Sequence, residues 1–223
     1  LGETRLGLLT HRLKNPPEAQ RPPMVAFYSA LSGDTDVAAD RPHLVVDGSQ
    51  VTATLAELGL QRDRYHVFVP GAEYGPAKRW PVSHFADLAQ RLTLPVVLLG
   101  SGKEATLCEA IAAQAEDRCQ SLAGRTSLMQ AFAVIAGAKN VVSNDTGLMH
   151  VAAALGVPQV AIFGSSSPLH TPPLSDVAQV LWLKSDPSYQ PPLDCAPCFE
   201  RECPLGHTRC LNDLEASRVL QLV

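Results

Sequence analysis

Asn144-Asp145-Thr146-Gly147-Leu148-Met149-His150 brings a carboxylate, a hydroxyl, a glycine and an imidazole together where a β-rich run gives way to a helical one. A carboxylate there would not bind phosphate directly, because two anions repel. It can accept hydrogen bonds from sugar hydroxyls while the Thr146 and Gly147 amides, at a helix start, face an anion. Lys78, in the loop that ends Lys78-Arg79-Trp80-Pro81, is the counter-charge such an anion would need. Each residue also has a plainer reading. Asp145 can be a helix N-cap, His150 a satisfied core histidine, and Lys78 a solvated loop lysine.

Three further loops share the small-residue character of Asn144–Gly147: Pro70-Gly71-Ala72, Gly100-Ser101-Gly102-Lys103-Glu104 and Gly164-Ser165-Ser166-Ser167-Pro168. All follow β-rich runs, and in a parallel α/β sheet the loops at the strands' carboxyl ends are where ligands bind. Four of them on one edge suggest a nucleotide or phosphate cleft, although such loops are also rich in Gly and Ser simply because they turn. There is no Gly-x-Gly-x-x-Gly, Walker loop or Gly-x-Ser-x-Gly elbow, which argues against a dinucleotide fingerprint, a P-loop and an α/β-hydrolase. No Asp-x-Asp stands at a strand end, so a diphosphate here would rely on organic cations and helix N-termini instead of a divalent metal.

The elements that must position these loops begin at Tyr65. Strands are expected at Tyr65–Val69, Pro95–Leu99, Asn140–Ser143, Gln159–Phe163 and Gln179–Leu183, with a weaker one near Gln120–Leu122. Between them lie amphipathic helices. Phe85, Leu88, Ala89 and Leu92 fall at i, i+3, i+4 and i+7 after Ser83 as N-cap. Ser101 with Glu104, and Ser127 with Gln130, form capping boxes, and Leu148–Leu155 stops at Gly156. Strands alternating with helices mean βαβ units and a parallel sheet covered on both faces.

Residues 1–63 differ in character. They carry two proline pairs (Pro16-Pro17 and Pro22-Pro23), a helix over Met24–Leu31, a polar stretch, and a helix over Ser49–Leu58 closed by Gly59. This is too little for a core, so 1–63 reads as the trailing part of a preceding domain with a linker, and 64–223 as the main domain. Because the chain opens on Leu1, it is expected to be a piece of something longer.

With 46% hydrophobic and 18% charged residues, the 223-residue chain is not of disordered composition. Its 18 Lys and Arg against 22 Asp and Glu leave a net charge of -4, and only 5% of residues are aromatic, so a nucleic-acid partner is not expected. The longest apolar candidate for a membrane span, Gly147–Gly164, is broken by His150, Pro158 and Gln159 and reads as helix, turn and strand. Cys195, Cys198, Cys203 and Cys210, with His207 among them, are dense enough to close a structural zinc site, with reduced packing or adventitious oxidation as alternatives. Cys108 and Cys119 read as core residues in or just after a helix.

Phe68-Val69-Pro70-Gly71-Ala72-Glu73-Tyr74-Gly75-Pro76-Ala77-Lys78-Arg79-Trp80-Pro81 resembles the opening of the C-terminal domain of the lipopolysaccharide heptosyltransferases of glycosyltransferase family 9. Leu122–Leu128 and Val142–Gly156 are similar to the same family, and the tail Cys195–His207 narrows the resemblance to its heptosyltransferase II branch. The resemblance covers most of 65–215. It implies a GT-B architecture, two Rossmann-like α/β domains across a cleft, of which 64–223 would be the C-terminal donor domain. It also implies inverting, metal-independent transfer of L-glycero-D-manno-heptose from ADP-heptose to the lipopolysaccharide inner core, with no cofactor required. On this reading Lys78 neutralises the diphosphate and stabilises the leaving group. Asp145, Thr146 and Gly147 hold heptose hydroxyls and phosphates, Glu104 contacts the nucleoside, and His150 lines the substrate. The family's catalytic carboxylate and acceptor pocket belong to the N-terminal domain, matched only at its end, so the chain alone is expected to be inactive. Asp34, Asp36 and Asp40 are not promoted to the role of base. A cytoplasmic location follows, with peripheral membrane contact through the N-terminal domain. Other GT-B transferases, sugar-nucleotide epimerases and a non-catalytic nucleotide-binding or zinc-scaffold module are the competing readings.

Overall fold

The computed structural model describes residues 22–33 and 41–223. The chain divides into two compact units, Leu1–Ala39 and Asp40–Val223. In the first, α1 (Met24–Ser29) tightens into a 3-10 turn, Ala30–Ser32, and ends on Gly33 at φ 84. Asp34, Asp36 and Asp40 lie outside the described residues.

The second unit is a six-stranded, wholly parallel sheet. Its strands are β1 (His66–Val69), β2 (Val96–Leu98), β3 (Cys119–Ser121), β4 (Asn140–Asn144), β5 (Gln159–Phe163) and β6 (Ala178–Trp182), in the spatial order β3-β2-β1-β4-β5-β6. This is the order of dinucleotide-binding domains, whose sequence of strands reverses between β1 and β4. β1, β4 and β5 are buried along their whole length, while β3 and β6, at the edges, are half-exposed.

Alternate strand residues feed two cores, one on each face, as the two-residue period of a strand requires. Phe68, Leu98, Val142, Val160 and Ile162 pack under α3 (Val82–Arg91), α4 (Ala105–Gln114) and α8 (Ala216–Leu220). Val67, Val69, Val97, Leu99 and Val141 pack under α2 (Gly48–Glu57) and α5 (Leu128–Ala136), beside α6 (Gly147–Ala154). A short α7 (Arg209–Asn212) seats Leu211 in the first core.

Three details depart from the sequence expectations. α2 is not part of a linker: Val51 and Leu55 are buried against Tyr65, Val134 and Ile135, so the compact unit reaches back to Asp40 rather than starting at 64. Its N-cap is Asp47, which accepts from the Ser49 and Gln50 N–H groups, while Gly59 takes the expected left-handed cap at φ 68. α3 starts at Val82 with Pro81, not Ser83, as its N-cap, so Ser83 lies inside the first turn. Cys119 belongs to strand β3 and is half-buried, whereas Cys108 is fully buried. Among the described residues no helix is long and apolar enough to cross a membrane.

Candidate active site

The point where the strand order reverses is where both conspicuous charges lie. Lys78 sits in a 3-10 turn (Pro76–Lys78) of the loop after β1, and Asp145 directly follows β4. Because β1 and β4 are neighbours in register, Val69 against Ser143, their loops meet. Lys78 Nζ donates to Asp145 Oδ2 at 2.6 Å, with side-chain exposures of 19% and 7%. Thr171 Oγ1, from the segment after β5, reaches Asp145 Oδ1 at 3.4 Å. Lys78 Nζ also lies 5.5 Å from the centre of the Tyr74 ring, within cation–π range.

This arrangement decides between the sequence alternatives. Lys78 is not a solvated lysine. Asp145 is not a helix cap either: Thr146, in extended conformation at φ -150, holds the N-cap position of α6 without a side-chain cap, and the Asp145 carboxylate turns to Lys78. A half-buried ion pair of this kind gains little stability over apolar packing but is costly to split. Such a pair is therefore better suited to a site than to a scaffold.

Beside the pair opens a cavity of about 540 Å³, in the range of small-molecule sites. Thr146, Gly147 and Leu148 from the start of α6 form one side, and Ser101 and Glu104 another. Leu128, Ala131, Phe132 and Val151 make an apolar wall. In the first turn of α6 the Met149 N–H is taken by the Thr146 carbonyl at 3.1 Å, whereas the earlier N–H groups have no carbonyl a turn before them. A Cβ on Gly147 would meet nothing, so its backbone is open to approach. Lys78, Asp145 and His150 are not in the cavity's lining. The pair adjoins it through Thr146.

Glu104 is both cap and lining. Its Oε2 accepts the Ser101 N–H at 2.6 Å, the capping box expected from sequence. Its carboxylate lies so close over Gly71 that a Cβ there would displace it, so the glycine lets Glu104 keep this position. The Ser127–Gln130 capping box is also formed and starts α5 at the cavity wall. His150 is half-buried one turn into α6. Burial lowers its pKa, with Asp145 raising it and Lys78 lowering it again.

Asn144, Thr171 and Tyr74 were not singled out in the sequence. Asn144, at the end of β4, is fully buried despite its polar side chain. The expected strand stopped at Ser143, so its burial became visible only when β4 ran on to Asn144. Thr171 and Tyr74 carried no signal beyond being near small-residue loops.

The cysteine cluster comes together differently. Cys195, Cys198, Cys203, Cys210 and His207 line a cavity of about 20 Å³, room for one water. The four cysteines are free thiols, and among the described residues no group of three or more His, Cys, Asp or Glu is arranged to hold a metal ion. Of the readings open for this cluster, a structural zinc site therefore has no support from the arrangement of the described side chains. Burial and the three neighbouring sulfurs push the Cys210 thiol up to about 12. Cys203 is lowered: partial burial raises it, but N–H groups of Thr208, Leu205 and His207 outweigh that.

The family model for glycosyltransferase family 9 (heptosyltransferase) matches residues 1–209. Lipopolysaccharide heptosyltransferase 2 of Escherichia coli is 43% identical over 199 residues, 82% of this chain and 57% of its own length. Lipooligosaccharide heptosyltransferase 2 of Haemophilus influenzae is 40% identical, covering 82% of this chain and 58% of its own. The solved structure of E. coli ADP-heptose lps heptosyltransferase II matches with a TM-score of 0.73 at 38% identity, over 90% of this chain and 60% of that one. The chain therefore spans a little under three fifths of the length of these curated relatives.

Proposed function

The chain belongs to glycosyltransferase family 9, and from that premise we propose that it holds the donor-binding half of an enzyme transferring L-glycero-D-manno-heptose from ADP-heptose to the inner core of lipopolysaccharide. The observation that carries this reading is the Lys78–Asp145 pair at the β1/β4 switch point, next to a cavity of nucleoside size.

The base packs on the apolar wall of Leu128, Phe132 and Val151, and Glu104 accepts hydrogen bonds from ribose hydroxyls. The α6 N-terminus at Thr146 and Gly147 meets a phosphate. Lys78 swings only a short way from Asp145 to the diphosphate, which frees the carboxylate to accept from a heptose hydroxyl. His150, whose pKa burial lowers, stands one turn into α6 behind Asp145 and outside the cavity lining. In the transfer, an acceptor hydroxyl oxygen bonds to the anomeric carbon as the bond to ADP breaks. ADP departs with the electron pair, and the acceptor proton passes to the carboxylate that the family resemblance assigns to the N-terminal domain. Lys78 stabilises the charge growing on ADP, an interaction stronger in the transition state than before it. The reading needs no cofactor, since Lys78 and the helix N-terminus meet the diphosphate charge. It carries a cytoplasmic location, with the acceptor presented at a membrane surface.

Transfer itself is the test. The full gene product, given ADP-heptose and an inner-core acceptor with EDTA present, should release ADP and add heptose. Transfer of another sugar in preference, or an absolute need for a divalent ion, would contradict the proposal.

A further inference from the structure

Asn144 is fully buried, yet both ends of its amide are used. Its Nδ2 donates to the Pro70 carbonyl at 2.7 Å, and its Oδ1 accepts the Trp80 N–H at 3.1 Å. Pro70 is the first residue after β1 and Trp80 nearly the last before α3, so one side chain closes the two ends of the loop that carries Lys78. Asn144 also precedes Asp145 in the chain, and the same dipeptide therefore clasps the loop and receives its lysine. Trp80 is in turn anchored, its Nε1 donating to the Leu214 carbonyl at 2.7 Å and its ring buried against Phe85. The middle of the loop is held separately, by the Ala77 N–H on the Arg201 carbonyl at 3.0 Å.

We propose that Asn144 is a positioning residue for the donor site: by clasping Pro70 and Trp80 it sets where Lys78 stands relative to Asp145 and an incoming diphosphate. The inference rests on the reading of Lys78 as a diphosphate contact and extends it to a group that touches no substrate. Ala77 and Trp80 keep their other anchors, so losing the clasp loosens the ends of the loop without releasing it. The lysine then spends less time in place.

A double-mutant cycle on ADP affinity tests this, using the full chain at a temperature where melting curves show every variant folded. Asn144→Ala should weaken ADP binding about tenfold when Lys78 is present, and less than about twofold in a Lys78→Ala background, because the two act through one contact. A merely structural role would lower the melting temperature and leave the ADP affinity of the folded protein unchanged, or change it equally in both backgrounds. Either result overturns the proposal. If Asn144→Ala does not fold, Asn144→Ser, which keeps one hydrogen-bonding group, is judged by the same criterion. The two layers fail separately. Lys78→Ala binding ADP like wild type overturns the donor reading and this proposal with it, whereas a weakened Lys78→Ala beside an unaffected Asn144→Ala overturns the proposal alone.

Discussion

Two clusters of reactive side chains, the Lys78–Asp145 pair and the four cysteines of 195–210, make opposite use of the fold. The pair grows from the ends of the two central strands and borders about 540 Å³ of open space. The cysteines lie on a tail after β6 and enclose about 20 Å³. In the first cluster opposite charges meet at 2.6 Å. In the second, four like groups crowd together, and burial raises the Cys210 thiol to about 12. The difference teaches that dense chemistry in sequence points to a site where strand ends bring it beside open space. The same density closed on itself is packing. The two regions still touch, since Ala77, next to Lys78, lines the cysteine cavity and accepts the Ser165 N–H.

Splitting the ion pair should have the largest effect. Lys78→Ala leaves Asp145 buried without a counter-charge and should cost about 3 kcal/mol, the low end for a broken buried pair because Lys78 keeps some solvent contact. Asp145→Ala should cost a similar amount, and the double variant less than the sum of the two. Chemical denaturation measures all three. Additive losses would mean that the two side chains do not form the unit described above.

The cysteine side of the comparison should respond in stability and reactivity, not in nucleotide binding. Cys198→Ser should change ADP affinity by less than about twofold and stability by about 1 kcal/mol. Under iodoacetamide at mildly alkaline pH, Cys203 should be carbamidomethylated faster than Cys210, since thiolate is the reactive form and backbone N–H groups outweigh burial at Cys203 but not at Cys210. Peptide mass mapping of the time course distinguishes them. Faster labelling of Cys210 would mean that its cavity is open rather than packed.

The smallest expected effect is on the pH dependence of folding. Burial lowers the pKa of His150 and of His66 below the ordinary 6.5. As pH falls through 6.5 the unfolded chain takes up protons that the folded chain refuses, so this contribution is present above 6.5 and lost below it. The melting temperature should drop by a few degrees between about pH 7.5 and 5.5, and a His66→Gln, His150→Gln variant should show a flatter profile. An unchanged slope in that variant would assign the acid sensitivity to other groups.

Most of the scaffold was legible because its four inner strands are buried on both faces and read as short, largely apolar runs. The Gln159–Phe163 strand lies where the pattern put it, and the others differ by one or two residues. The capping boxes at Ser101 and Ser127 were equally local and equally readable. What sequence patterns missed was long-range. Nothing in Lys78 or Asp145, 67 positions apart, announces that each is the other's partner. The plainer readings of both residues survived until the strand order brought their loops together. The segment 48–57 was misplaced for the same reason, since its buried face is defined by α5, some eighty residues later. The spacing of the cysteines was as dense as a metal knot, but spacing does not say whether four sulfurs point at one centre.

The central claim is that the switch-point cavity with Lys78 receives an ADP-linked donor. Calorimetric titration of the chain with ADP and with UDP, in EDTA, tests it most directly. ADP should bind at least about tenfold more tightly than UDP, and Lys78→Ala should lose most of that affinity. Equal or tighter binding of UDP, or ADP binding that ignores the loss of Lys78, would contradict it.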